Sequence, residues 1–220
     1  MTDDIDFAME RIVGDTPIGS ERKAKNTGIW ARHPEDYYIE NEWCSERLFA
    51  VEQFEGTVVD PACGSGRIVR SARKARDNTP GSRITQVLAY DIVKRCRECH
   101  DLTEDFLATD YETDNIVSNP PFGLCKKPDF AFVRKALATA DRKVALLLPL
   151  PYLTGGDKGR WLQATPLAKV LVLTPRPSMP PGPVIEAGEN PGGGTEDFAW
   201  LIWDKVHKGT PTLGWLDRDA

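Results

Sequence analysis

With 220 residues, 40% of them hydrophobic, and a formal net charge of −5, the chain can bury the core of one α/β domain and is no general magnet for polyanions. Any nucleic-acid partner would have to meet a local basic face. The acidic start Met1-Thr2-Asp3-Asp4-Ile5-Asp6 lacks the plan of a signal peptide, and no stretch reaches the roughly 18 consecutive apolar residues of a membrane span, so a cytoplasmic protein is expected.

Residues 1–34 are polar, with Arg22, Lys23, Lys25, Arg32 and His33 around Trp30. They read as an arm that is either solvated or in contact with nucleic acid. Pro34-Glu35-Asp36 then opens a helical pattern in which Tyr38, Trp43, Leu48, Phe49, Val51 and Phe54 recur at amphipathic spacing. Gly56 ends it. Thr57-Val58-Val59-Asp60 is a short β-branched strand that runs into Pro61-Ala62-Cys63-Gly64-Ser65-Gly66. A helix follows over Arg67 to Arg76, basic on its outer face, then a turn at Asn78 to Ser82 and a strand from Ile84 to Ala89 leading to Tyr90-Asp91-Ile92.

Strand, glycine turn, helix, strand, acid is the plan of a doubly wound nucleotide-binding fold, with the ligand across the carboxyl ends of the strands. Asp105 stands beside Phe106 in the next segment. The strand Asp114 to Ser118 delivers Asn119-Pro120-Pro121-Phe122 to the same edge. Helices near Asp129 to Ala140 and Lys158 to Ala164 alternate with strands at Val144 to Leu148 and Val170 to Leu173, and the last predicted strand is Phe198 to Trp203. Between the last two strands, Thr174 to Glu196 holds six prolines and five glycines. A loop of that length inside a compact domain is either functional or disordered.

The five cysteines form an odd set in a chain without an export signal, so free thiols are expected. Cys96-Arg97-Glu98-Cys99-His100 matches a haem-attachment pattern, but it sits just after a core strand, and no second close pair completes a zinc site. Neither haem nor a metal is expected.

The chemistry follows from the two motifs. Gly64 and Gly66 permit a tight turn and close approach of a ligand. Asp60 can face a cationic group or cap the turn, and Asp91 is placed for ribose hydroxyls. Position 69 is Val69, where a dinucleotide fingerprint would have its third glycine, and no Gly-Lys-Ser/Thr follows. A cationic nucleoside without phosphate suits these acids, and S-adenosylmethionine is such a ligand. Asn119 and the Pro120 carbonyl offer two acceptors to an exocyclic amine, which would raise its nucleophilicity and stabilise the charge that grows on nitrogen. Pro120 and Pro121 lack competing amide donors, and Phe122 offers a ring face to a base. Cys63 then reads as a small packing residue and not a nucleophile.

Asp60-Pro61-Ala62-Cys63-Gly64-Ser65-Gly66 resembles the cofactor motif of the N6-adenine DNA methyltransferases, and Asn119-Pro120-Pro121-Phe122 resembles their catalytic motif. Asp91-Ile92 and Asp105-Phe106 are similar to the family's intermediate motifs for the cofactor ribose and adenine, and Tyr38-Ile39-Glu40 to the segment that closes the methionine end. The resemblance runs over roughly residues 35 to 205. It implies a Rossmann-like α/β fold, with a mostly parallel seven-stranded sheet, an antiparallel last strand and helices on both faces. It also implies S-adenosylmethionine as donor and adenine flipped out of DNA.

In size the chain is most similar to small stand-alone phage and prophage enzymes. Only a short tail follows Trp203 where larger members carry a recognition domain, so readout is expected from the 174–196 loop, the arm or a partner chain. Met179 stands where the family has an aromatic against the flipped base, and Arg176 could meet phosphate; a mobile loop is the other reading. RNA adenine, a protein glutamine and a catalytically silent binding module are the alternative functions. Phe122 counts modestly against glutamine, because such relatives usually have Tyr there.

Overall fold

The structure is a computed structural model that describes residues 35–126, 129–190 and 192–220; the predicted arm at 1–34 lies outside them. Short β-branched and apolar runs make the strands, and their hydrogen bonding joins them into one eight-stranded sheet of order β3-β2-β1-β4-β5-β7-β6-β8. The strands are β1 (Glu55–Asp60), β2 (Arg83–Asp91), β3 (Leu102–Thr103), β4 (Thr113–Ser118), β5 (Ala140–Pro149), β6 (Leu167–Thr174), β7 (Phe198–Asp204) and β8 (Thr212–Asp217). Only β7 runs against its neighbours, pairing antiparallel with both β5 and β6.

The sheet is buried on both faces, which is why its central strands read as continuous apolar runs. On one face, Val58, Val117, Leu147, Trp200 and Ile202 pack under helices α1 (Glu42–Val51) and α2 (Arg67–Asn78). On the other, Ile116, Val144, Leu146, Leu148, Leu201 and Trp203 pack against α3 (Ala131–Thr139), α4 (Gly156–Gln163) and the turn around Tyr152. The two indoles also carry polar pins: Trp200 Nε1 donates to the Cys44 carbonyl at 2.9 Å and Trp203 Nε1 to Thr165 Oγ1 at 2.9 Å. A buried indole without such a partner would leave a donor unsatisfied, at a cost of about 1–3 kcal/mol. Among the described residues, no helix is long and apolar enough to cross a membrane.

The architecture is the expected one, with three differences. An eighth strand, β8, follows the antiparallel strand and pairs in parallel with β6 at the sheet edge. Its faces alternate, with Leu216 buried and Leu213 and Trp215 exposed, so two large apolar side chains stand on its outer face.

The helix predicted from Pro34 begins only at Glu42. The residues before it spend their backbone groups on the 174–196 segment: the Ile39 amide donates to the Pro180 carbonyl, the Gly182 amide donates to the Tyr37 carbonyl, and Tyr38 forms a bridge with Pro181. The Pro/Gly-rich segment is consequently ordered along this seam and includes a short helix, α5 (Gly182–Glu186).

Finally, the expectation of free thiols holds for Cys44, Cys63 and Cys125, whereas Cys96 and Cys99 are joined in a disulfide.

Candidate functional site

The strand order reverses between β1 and β4, which lie side by side while β2 and β5 continue outward in opposite directions. The crevice at the carboxyl ends of such strands is where this kind of sheet binds ligands. Here it is an open cleft lined by acidic, aromatic and apolar side chains, the kind of site that takes a small molecule. It gathers Tyr38, Asp60, Ala62, Cys63, Gly64, Asp91, Ile92, Asp105, Phe106, Asn119 and Pro121, eleven of the predicted site residues from five separate stretches of chain.

Acidic groups dominate the floor. Asp60 ends β1 fully buried and accepts from Ser118 Oγ at 2.7 Å and from the Ala62 amide at 3.2 Å. Burial pushes its carboxyl well above the usual carboxylate range, and the charges of Glu40 and Asp91 add to the rise against those hydrogen bonds. Asp91 ends β2 and accepts from the amides of Gly64 at 2.7 Å and Val93 at 2.9 Å, and from Arg95 at 3.2 Å. Asp105 caps a single 3-10 turn by accepting from the Leu107 amide at 3.0 Å, which turns the buried Phe106 into the cleft wall.

Gly66 does not line the cleft. It caps α2 in the left-handed region at φ 80°, and a Cβ there would overlap Cys99 Sγ at 2.0 Å. The disulfide loop thus packs directly beneath the turn. Burial raises the Cys63 thiol, with Asp60 and Asp91 pushing the same way, which keeps it a neutral packing group.

Asn119 follows β4. Its Nδ2 donates to Glu40 Oε2 at 2.9 Å and to the Tyr38 carbonyl at 3.4 Å, and lies 3.9 Å from Met179 Sδ. Both oxygen partners are acceptors, so the amide orientation is dictated by its surroundings. Its Oδ1 is buried with no partner. Glu40 is itself buried, and desolvation raises its pKa against the lowering effects of hydrogen bonds and Arg67. Pro120 is buried behind the cleft. Phe122 stacks on Tyr38 at 6.1 Å and touches Phe198 at 5.8 Å, so its ring supports Tyr38 and does not itself face the cleft. Met179 reaches the Asn119 amide from the Pro/Gly-rich segment, whereas Arg176 pairs with Asp197 on the surface at 2.7 Å, away from the cleft.

Three contributors carry no sequence signal of their own. Arg95 ties Asp91 to Glu35 and lies 4.3 Å above the Tyr37 ring, while Tyr37 donates to Glu186 of α5 at 2.8 Å. Glu104 lines the cleft with Oε1 buried and without a partner. All sit in polar turns, where a charged residue is ordinary and only the fold reveals a neighbour.

The donor set fits a cationic nucleoside. Asp60, Glu40 and Glu104 have carboxyls that burial holds in the protonated direction, so a cation among them would restore their charged forms. The unpartnered oxygens of Asn119 and Glu104 await donors. Among the described residues no cluster of three or more His, Cys, Asp or Glu could hold a metal ion.

No protein-family model and no curated protein matches the chain. Solved structures do match. A candidate class I S-adenosylmethionine-dependent methyltransferase from Listeria monocytogenes superposes with a TM-score of 0.53 at 13% identity, covering 79% of this chain and 62% of that one. The modification subunit of a candidate type I restriction enzyme from Vibrio vulnificus gives 0.53 at 15% identity, over 80% of this chain and 45% of that one. A candidate RNA methyltransferase from Pyrococcus horikoshii gives 0.51 at 16% identity, over 72% and 79%. The chain therefore spans less than two thirds of the length of the first two structures. The likeness is one of architecture: the chain has the fold of S-adenosylmethionine-dependent methyltransferases.

Proposed function

We propose that the chain binds S-adenosylmethionine and transfers its methyl group to the exocyclic N6 amine of adenine in DNA, on a base flipped out of the stack. The observation that carries this reading is the Asn119 amide, held by its nitrogen and left with a buried, unpartnered oxygen beside a cleft rich in carboxylates. S-adenosylmethionine, when bound, supplies an activated methyl on a cationic sulfonium. Asp60 and Glu40 balance that charge, Asp91, Glu104 and Asp105 present acceptors to the nucleoside, and Phe106 and Ile92 flank its base.

At the acceptor side, Asn119 Oδ1 and the Pro120 carbonyl take the two amine hydrogens. Delocalisation of the lone pair into the purine ring makes that amine a poor nucleophile, and two acceptors draw the nitrogen toward tetrahedral geometry. The same acceptors stabilise the positive charge that develops on nitrogen in the transition state, where interaction energy raises the rate. Pro120 and Pro121 fix the backbone and offer no competing donor. Tyr38, backed by Phe122, presents a ring to the base.

The restriction-enzyme modification subunit among the structural neighbours supports DNA as acceptor, and the RNA methyltransferase makes RNA the comparison to run alongside it. Incubation with methyl-labelled cofactor and unmethylated DNA, RNA or total protein tests the reading. Label is expected in DNA as N6-methyladenine. Label confined to RNA or protein, or to no acceptor, overturns it.

A further inference from the structure

A chain with net charge −5 that takes a polyanionic acceptor needs a local cationic surface. The basic face of α2 does not supply one. Its cations are paired with acids: Arg70 with Glu42 at 3.9 Å, Arg73 with Asp101 at 3.5 Å and Lys74 with Glu46 at 2.8 Å, all from neighbouring segments, and Arg76 with Asp77 of the same helix at 2.7 Å.

A different arrangement lies on the far side of the Asn119 turn. The 3-10 turn Phe122–Cys125 ends at Lys126, whose carbonyl accepts from the Phe130 amide at 3.1 Å. The Phe130 ring stacks on Trp161 of α4 at 5.2 Å and 17°, and meets Tyr152 edge-on at 6.4 Å. Cations stand on this aromatic floor: the Arg134 guanidinium lies 4.9 Å from the Trp161 centroid and Lys158 Nζ lies 4.3 Å from that of Tyr152.

Among the described residues, no carboxylate pairs with Lys126, Arg134 or Lys158. The nearby acids are otherwise disposed: Asp157 pairs with Arg160, and Asp129 offers Arg134 only its backbone carbonyl, at 2.7 Å. Partial burial and the neighbouring Lys126 charge hold the Lys158 ammonium below the usual lysine range, so the two like charges lie close enough to act on one another. Leu124, in the same turn, lines the cleft and is exposed.

We propose that Arg134 over Trp161 and Lys158 over Tyr152, together with Lys126 at the end of the adjoining turn, bind the phosphodiester backbone of the nucleic-acid acceptor and seat it beside Asn119. The proposal rests on the nucleic-acid reading given above and adds where the acceptor is held. Cations of which two lie over planar rings, with no paired carboxylate among the described residues, suit a phosphate chain that tracks across the surface better than a single buried anion. Backbone contacts of this kind position the substrate without reading its sequence.

The test compares wild type with K126Q/K158Q by fluorescence anisotropy of a short labelled duplex and of the same strand alone, across a salt series. Each phosphate contact contributes about 0.9 to the log–log salt slope on duplex and about 0.7 on single strand. Loss of two contacts should therefore lower the slope by roughly 1.4–1.8 and weaken binding at low salt at least tenfold. Affinity for S-adenosylmethionine, read by calorimetry, should not move. K74Q, which removes a cation already paired with Glu46, should leave the slope unchanged.

An unaltered slope in K126Q/K158Q, with cofactor affinity intact, overturns the platform even if wild type methylates adenine. Wild type that binds DNA through these lysines yet modifies no adenine sustains the platform and overturns the methylation reading instead.

Discussion

Asn119 donates from Nδ2 to Glu40 Oε2 at 2.9 Å, and this contact decides which end of the amide is left for a substrate. The Tyr38 carbonyl beside it can only accept, and Glu40 accepts through Oε2 in its ionised form, so together they select the nitrogen and leave Oδ1 without a partner. In E40Q the partner carries both a donor and an acceptor, and the Asn119 amide can settle either way round. Half-populated or shifted acceptors cost catalysis steeply, since a misplacement of about 1 Å can lower rates about 100-fold. E40Q should lower kcat by 10- to 100-fold with little change in cofactor affinity, while N119A should lose about 100- to 1,000-fold, the scale for removing one charge-stabilising hydrogen-bond partner. Single-turnover methyl transfer and calorimetry separate the two quantities. Full activity in N119A would remove that residue from the mechanism.

The buried carboxyls give the ligand-free protein a specific pH response. Burial lifts Asp60 well above its ordinary range and lifts Glu40 as well. A carboxyl whose folded-state pKa exceeds its unfolded value of about 3.9 (Asp) or 4.3 (Glu) binds protons more tightly when folded. Its favourable contribution is therefore full below those unfolded values and is lost as pH rises through the raised folded-state values. A bound cation acts in the opposite sense, because it favours the ionised forms. Cofactor affinity should rise with pH across the same window, with proton release on binding, and the cofactor-induced rise in Tm should be larger at the alkaline end. D60N should flatten part of both dependences. Thermal melts across pH, with and without S-adenosylmethionine, measure this.

Much of this site was legible because its residues lie at strand ends, where β-branched and apolar runs such as Thr57-Val58-Val59 and Ile116-Val117 announce the strand and the next polar residues are delivered to one edge. Asp60, Asp91 and Asn119 meet for that reason. What stayed hidden depends on contacts between segments distant in sequence. Residues 37–41 lie in a stretch of helical side-chain periodicity, yet the Ile39 amide, the Tyr37 carbonyl and the Asn41 side chain bond to residues 178–182, a choice no local propensity records. The place of Phe122 in the motif predicts a ring for the base, whereas Tyr38 stacks on it and lines the cleft instead. Strand β8 escaped because an edge strand buries few side chains, and Leu213 and Trp215 point away from the core.

The seam between residues 37–41 and 178–182 predicts a sensitive position at Gly182. A Cβ added there would lie 1.8 Å from Tyr37 Cε1, so even alanine must displace the ring. That ring lies beneath Arg95, which binds Asp91, and its hydroxyl holds Glu186. G182A should therefore destabilise the fold by about 1–3 kcal/mol, the usual cost of overpacking, and weaken cofactor binding through the displaced Arg95. G188A, at a position where nothing lies within 4 Å of the added carbon, is the comparison; its backbone φ of 73° carries strain of its own but touches no site residue. Urea melts and cofactor titrations of the pair check the effect, and equal cofactor affinity in G182A and wild type would uncouple the seam from the site.

Glu104 and Asp91 compete for the role of ribose acceptor, and their hydrogen bonds favour Glu104 as the one with spare capacity. Both Asp91 oxygens are engaged, one by the Gly64 amide and the other by the Val93 amide and Arg95. Glu104, joined to the end of β2 by its own amide at 3.0 Å from the Asp91 carbonyl, lines the cleft with Oε1 unpartnered. Desolvation raises its carboxyl, a cost that a hydroxyl donor would relieve. A hydrogen bond to a charged group contributes about 1.5–3 kcal/mol, so E104A should weaken S-adenosylmethionine binding by roughly 10- to 150-fold. A cofactor analogue lacking one ribose hydroxyl should show little difference between E104A and wild type, because the interaction is already gone from one side. If E104A instead discriminates against that analogue as strongly as wild type does, the hydroxyl belongs to Asp91, and the Arg95 contact seen in the structure must give way when the cofactor enters.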